Sequence, residues 1–321
     1  MGARAWCRGA TVLVAAAVVT AAASSEMRVV APTGGYLGQK PPGTTPQVFA
    51  PGIVSTAGRN EVSCAFTPDG RQLFFAVFES GRGYTMRVME DTVDGWTEGR
   101  PAPFARDFSE VDPFITGDGL RCFFISKRPF RAEMERSRNY QIWVVSRKRN
   151  GWGSPKPLGP EVNTKDRQLF PTLSEDGTLI FGSDRPGGHG GTDIYAAHPD
   201  GADFGQPANL GAAINTDGDE TDALIAPDGS FLVFTAVGRD DGFGDGDLYI
   251  SFRDADGRWG VAENLGAPVN TPHSDFCPTL SPDGRYFFFT SNREGSNDIY
   301  WVDASVIRSR HSADAGRGGG T

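Results

Sequence analysis

Cysteine and histidine are scarce in this chain, with four of each among 321 residues. Cys7 lies ahead of an apolar N-terminal run, which leaves Cys64, Cys122 and Cys277, an odd number without metal-site spacing. That argues against a disulfide framework and makes buried thiols the expectation. The histidines, His189, His198, His273 and His311, offer few candidates for imidazole chemistry, and His189 is flanked only by glycines. There is no Gly-x-Ser-x-Gly elbow, no His-Glu-x-x-His and no phosphate-binding Gly-rich loop. A membrane span is absent as well. The apolar run Ala10 to Ala23 is 14 residues long, too short to cross, and it follows Arg4 and Arg8 and ends on Ala21-x-Ala23. Residues 1–23 therefore read as a cleavable signal peptide, implying a periplasmic or extracellular protein. Cleavage removes two arginines and takes the net charge from −9 to −11, which disfavours nucleic acid and anionic membranes as partners and favours cations.

What the chain has in quantity is turn chemistry, with 42 glycines and 22 prolines, and a repeat. Leu173 to Tyr195 reads LSEDGTLIFGSDRPGGHGGTDIY, and Leu280 to Tyr300 reads LSPDGRYFFFTSNREGSNDIY. Five Asp-Gly pairs, Asp69-Gly70, Asp118-Gly119, Asp176-Gly177, Asp228-Gly229 and Asp283-Gly284, are 49, 58, 52 and 55 residues apart, the mark of a repeat architecture. Each pair lies between two short runs rich in β-branched and aromatic residues and predicts a hairpin through a type I′ turn. The second run (Leu73 to Val77 in the first copy, Tyr286 to Thr290 in the last) is almost continuously apolar, as a strand covered on both faces must be. A third strand follows a Gly-rich loop, and a Trp or Phe (Trp96, Trp152, Phe204, Trp259) is expected to open a fourth.

Four short strands per unit predict an all-β chain folded as a β-propeller of five blades; a sixth would have to come from Ala132 to Tyr140, whose Glu and Arg content reads as a loop. The fifth copy ends after its third strand, and Gln47 to Gly52 is free to supply the missing one, closing the ring from the N-terminal side. The expected organisation is a signal peptide (1–23), an extended segment (24–44), the propeller (45–307) and a disordered Gly-rich tail (308–321), in a monomer.

The Ser-Pro-Asp-Gly turn, the Ser-Asn-Arg or Ser-Asp-Arg strand ends and the Asp-Ile-Tyr strand resemble the PD40, or WD40-like, repeat of TolB-type propellers over about four-fifths of the chain. The resemblance implies a secreted or periplasmic propeller that acts through protein contacts without catalysis. Fold carries over from such a likeness more safely than function.

Aligned on the turn aspartate, the residue eight positions earlier is Glu61, Glu110, Gln168, Glu220 or Asp275. It begins the innermost strand of each blade, so fivefold pseudo-symmetry would gather these groups at one mouth of the channel. Asp112 and Asp222, two positions further on, add charge. Converging hard oxygens suit Ca²⁺, although no cofactor is required. Arg128, Arg185 and Arg293 end the second strands and should reach the same rim, where they can pair with the acids as scaffold. The loop Asp240 to Asp247 offers Asp241, Asp245 and Asp247 as further metal candidates without a complete EF-hand pattern. The long loops should share one face with the rim, and a second of them carries Arg128, Arg131, Arg136 and Arg138. The function expected is a binding module whose protein or glycan partner docks on that face. The alternative is a five-bladed glycoside hydrolase in which two of Glu61, Glu110, Glu220 and Asp275 serve as acid and base.

Overall fold

The structure, a computed structural model, describes residues 28–130 and 138–307. Within them the chain forms five antiparallel sheets arranged as the blades of a propeller. The inner strands are Glu61–Phe66, Glu110–Ile115, Gln168–Leu173, Asp219–Ile225 and Asp275–Leu280. Second and third strands follow by hairpin connection, and the outermost strands are short: Arg100–Pro101, Lys156–Pro157, Ala208–Asn209 and Glu263–Asn264. In the fifth blade the outer strand is Gln47–Val48, paired to Tyr300 and Trp301 of the third strand, so the N-terminal segment closes the ring.

Continuous apolarity of the second strands follows from their position. Alternate side chains face opposite neighbours: Phe74 packs with blade 2 through Phe104, Phe124 and Trp143, while Phe75 packs with blade 5 around Phe49, Phe288 and Trp301. The interior is accordingly five apolar clusters, one at each blade–blade interface.

Two local expectations are corrected. The Asp-Gly hairpins are not type I′, because only the glycine has positive φ (66° to 86° across the five). Each is instead a four-residue turn starting one residue before Pro68, Gly117, Glu175, Pro227 or Pro282, closed by the glycine N–H on the first carbonyl, as in Gly70 to Thr67 at 2.7 Å. Proline at the second position fits a type I turn and the following left-handed glycine restores the strand twist. The Trp or Phe of each copy does not open the fourth strand either. Trp96, Trp152 and Phe204 lie on small β-ribbons that extend the third strand, Trp259 bridges Arg253 likewise, and the outer strand comes four or five residues later.

The sequence reads 24–44 as an extended segment. Val29–Ala31 pairs with the ribbon of blade 1, and Tyr36 makes edge contacts with Phe66 and Tyr286 while its hydroxyl donates to Asp283. The signal peptide, Arg131, Arg136 and the tail from 308 lie outside the described residues. No helix among the described residues is long and apolar enough to cross a membrane.

Candidate functional site

Glu61, Glu110, Gln168, Glu220 and Asp275 stand at equivalent places at the start of the inner strands, and all five are wholly buried. Their side chains are engaged within the protein. Arg128 Nε donates to Glu110, Arg239 Nη2 to Glu220 at 3.0 Å, and Arg293 Nη2 to Asp275 at 2.6 Å. Each arginine also reaches a carbonyl in the linker from the preceding blade: Arg128 to Phe104, Arg239 to Ile214, Arg293 to Val269. The guanidinium lies over an aromatic pair formed across the second and third strands, Phe124 with Trp143, Phe234 with Tyr249, and Phe289 with Tyr300. The carboxylates accept backbone N–H groups too, from Arg106, Thr216 and Thr271. Burial pushes the Glu61 and Glu110 carboxyls up, opposed by Arg59 and Arg128.

Arg185 pairs with no carboxylate, because its blade has Gln168; it bonds Ser183 and the Glu161 and Val162 carbonyls and stacks on Phe181 and Tyr195. Two members of the set escape a sequence alignment. Arg239 is displaced by one residue through the longer second strand of blade 4, and Arg59 approaches Glu61 from upstream while donating to the Val54 carbonyl at 2.9 Å. A hydrophobic-Asn-Thr stretch repeated in three linkers, Val162-Asn163-Thr164, Ile214-Asn215-Thr216 and Val269-Asn270-Thr271, completes the seam. Asn163, Asn215 and Asn270 each accept the N–H of a third-strand residue and donate to its carbonyl, at 2.8–2.9 Å, and Ser55 does the same for Ile299.

The groups that do converge on the axis lie two residues further along: Ser63, Asp112, Phe170, Asp222 and Cys277. Each has a left-handed backbone, with φ from 45° to 57°, at a β-bulge that breaks the register of the inner strand. A hydrogen-bonded chain joins four of them. Ser63 Oγ meets Asp112 Oδ1 and lies 3.3 Å from Cys277 Sγ, which is 3.6 Å from Asp222 Oδ2. The Cys277 N–H and the Thr235 hydroxyl also approach Asp222, at 3.4 and 3.5 Å. Burial, reinforced by the Asp222 charge, raises the Asp112 carboxyl to about 8; burial raises Asp222 and the Cys277 thiol likewise. Proline follows the bulge residue in three blades (Pro113, Pro171, Pro278), and proline inside a strand is confined to edges and bulges, so this feature was legible and was missed.

Above the axis on the loop face stand Tyr84 and Tyr140. Burial raises both phenols; the Tyr140 hydroxyl lies 2.6 Å from Ser109 Oγ, and Lys127 Nζ is 4.8 Å from the Tyr140 ring centre. Phe78 and Phe243 are about half exposed on the same face. The candidate metal residues do not converge. Asp247 accepts the Phe243 and Gly244 N–H groups of its own loop, Asp241 accepts the Tyr249 hydroxyl, and Asp245 is exposed. Among the described residues no group of three or more His, Cys, Asp or Glu side chains is placed to hold a metal ion. Cys64, Cys122 and Cys277 are buried and free.

No protein-family model matches the chain, and no curated protein matches it in sequence. Solved structures do match in fold. TolB propellers are among its structural neighbours. A putative TolB from Agrobacterium tumefaciens is similar at 18% identity and a TM-score of 0.51, covering 78% of this chain and 79% of that one. A glycoside hydrolase covers 87% and 90% at 14% identity and a TM-score of 0.52, and the catalytic domain of a Coprinopsis cinerea GH62 α-L-arabinofuranosidase covers 82% and 97% at 12% and 0.51. Likeness at this identity is likeness of fold.

Proposed function

We propose that the protein is a non-enzymatic, exported propeller that engages a partner protein or glycan on the loop face around the channel mouth. The observation that carries this reading is the use made of the rim acids. A catalytic pair must be open to substrate, whereas Glu61, Glu110, Glu220 and Asp275 are wholly buried in internal pairs with arginine. The loop face offers instead the exposed rings of Phe78 and Phe243 and the half-buried Tyr84 and Tyr140, aromatic anchors of the kind that dominate binding energy. TolB-like neighbours agree with an interaction role in the periplasm.

A second reading rests on the axial dyad. Two carboxyls of raised affinity for protons, on strained backbone at the channel centre, are what a glycosidase would need, and Asp112 and Asp222 are better candidates for acid and base than the rim residues. Against it, Asp112 is 8% exposed and tied to Ser63.

Photo-crosslinkers at Phe78 and Phe243, with one at the outlying exposed Val261 as control, would be expressed in the source cell. The binding reading predicts one shared crosslinked product from the two loop-face positions and none from Val261. Turnover of an aryl arabinofuranoside by the purified chain, abolished by Asp222→Asn, would refute it in favour of the hydrolase.

A further inference from the structure

The face opposite the long loops is not flat. The five inner strands end there on Phe66, Ile115, Leu173, Ile225 and Leu280, and these side chains wall a funnel of about 470 Å³ centred on the propeller axis. A second cavity of similar volume continues from it between blades 3 and 4, and the two share Ser174, Glu175, Ile225 and Pro227. The walls are strand ends and short turns closed by internal hydrogen bonds, so the hollow is preformed.

Its chemistry is divided. The axial funnel is apolar, whereas the side cavity is edged by Glu175, Asp176 and Asp228, with Arg253 stacked on Trp259 at 4.5 Å as its one cation. Asp118 and Arg121 offset each other at the funnel rim. The carboxyls of Asp118 and Asp176 are held below the ordinary range by the Thr116 and Ser174 hydroxyls and by the N–H groups of Leu120 and Thr178. Asp118 and Asp176 therefore keep their charge well below neutral pH.

The geometry points to a second binding site, on the turn face, for a small amphiphile with an apolar body and a basic head: the body fills the axial funnel and the head turns toward Glu175, Asp176 and Asp228. The combined hollow is of the size that small-molecule sites have, and its balance of apolar wall and few polar groups is theirs too. This site lies across the molecule from the loop face and stands independently of the function proposed there.

Gly117 provides a clean test. It lies on the funnel lip, has ordinary φ, and a Cβ there meets nothing within 4 Å, so Gly117→Trp can plug the funnel without straining the backbone. The probes are decylammonium and decanoate, which share an apolar chain and differ in the sign of the head, titrated calorimetrically below their aggregation concentrations. The expected result is one saturable site, at least tenfold tighter for decylammonium, abolished by Gly117→Trp, with the preference reversed by Glu175→Lys at unchanged melting temperature. Equal or tighter binding of decanoate, or binding indifferent to Gly117→Trp, would overturn the assignment. So would absence of probe binding together with self-association that Gly117→Trp abolishes, since the face would then be covered by a second copy of the chain.

Discussion

A buried carboxylate is tolerable only when its charge is matched, and the rim shows what matching requires. Removing the arginine while leaving the acid strands a buried charge, which costs about 3–5 kcal/mol, whereas neutralising the acid leaves a guanidinium that keeps the Phe104 carbonyl and the Phe124 and Trp143 rings. Blade 3 carries an amide at this place, and Gln168 Nε2 donates there to the Thr164 and Ser183 hydroxyls. Arg128→Met should therefore lower the unfolding free energy by several kcal/mol, and Glu110→Gln by clearly less, as read by urea denaturation; equal costs would contradict the pairing. The axial dyad makes a different prediction. A carboxyl whose folded pKa is raised contributes stability that is full below its unfolded value, about 4, and is lost as pH rises through the folded value, about 8 for Asp112. Asp112→Asn keeps an acceptor for Ser63 and cannot ionise. Its thermal stability should exceed that of the parent at pH 9 by about 1–3 kcal/mol, and the advantage should shrink toward pH 5; a pH-independent difference would rule this out. The rim positions were legible in sequence because they repeat at fixed distance from the turn aspartate. The axial set shows in sequence only through the proline after three of its members, since Ser63, Phe170 and Cys277 share no chemistry with Asp112 and Asp222: what they share is a backbone conformation.

At the scale of elements, the long loops interlock with the linkers of the next blade by contacts that leave no room for a side chain. A Cβ on Gly190 would lie 2.0 Å from the Gly218 carbonyl oxygen, and one on Gly244 would lie 2.1 Å from that of His273. Neither glycine has positive φ, so its smallness is what the structure uses. Gly244→Ala should force the loop off the linker and cost on the order of 1–3 kcal/mol, while Gly117→Ala, with open space around it, should be near neutral. Matching melting temperatures for the two variants would refute the interlock. The second strands were readable from composition because burial on two sides leaves no polar face. Asp-Gly alone suits both a two-residue hairpin and the end of a four-residue turn, and the proline before it in three copies decides for the latter. The ribbon tryptophans were misassigned because aromatic residues favour any β-ribbon, and nothing local separates a ribbon from an outer strand.

For the whole molecule, the decisive event is ring closure by Gln47–Val48, which brings chain ends some 250 residues apart into one sheet. Phe49, fully buried, seals that seam with edge contacts to Phe66, Phe288 and Trp301. Phe49→Ala should cost about 3–5 kcal/mol and expose blade 5 and blade 1 together to hydrogen exchange; loss confined to blade 5 would mean that closure does not couple the ring. The five-blade count and the closing strand followed from the repeat and its unfinished last copy. Function did not, because the fold serves TolB and arabinofuranosidase proteins alike. The most direct test of the account is calorimetric titration of the purified chain with Ca²⁺ and Mg²⁺ after chelation, beside a Glu110→Gln, Glu220→Gln double variant. Carboxylates engaged by arginine predict no saturable heat in the parent and a lower melting temperature in the variant. Saturable cation binding that disappears in a variant of unchanged stability would show that the rim is a site and not a seam.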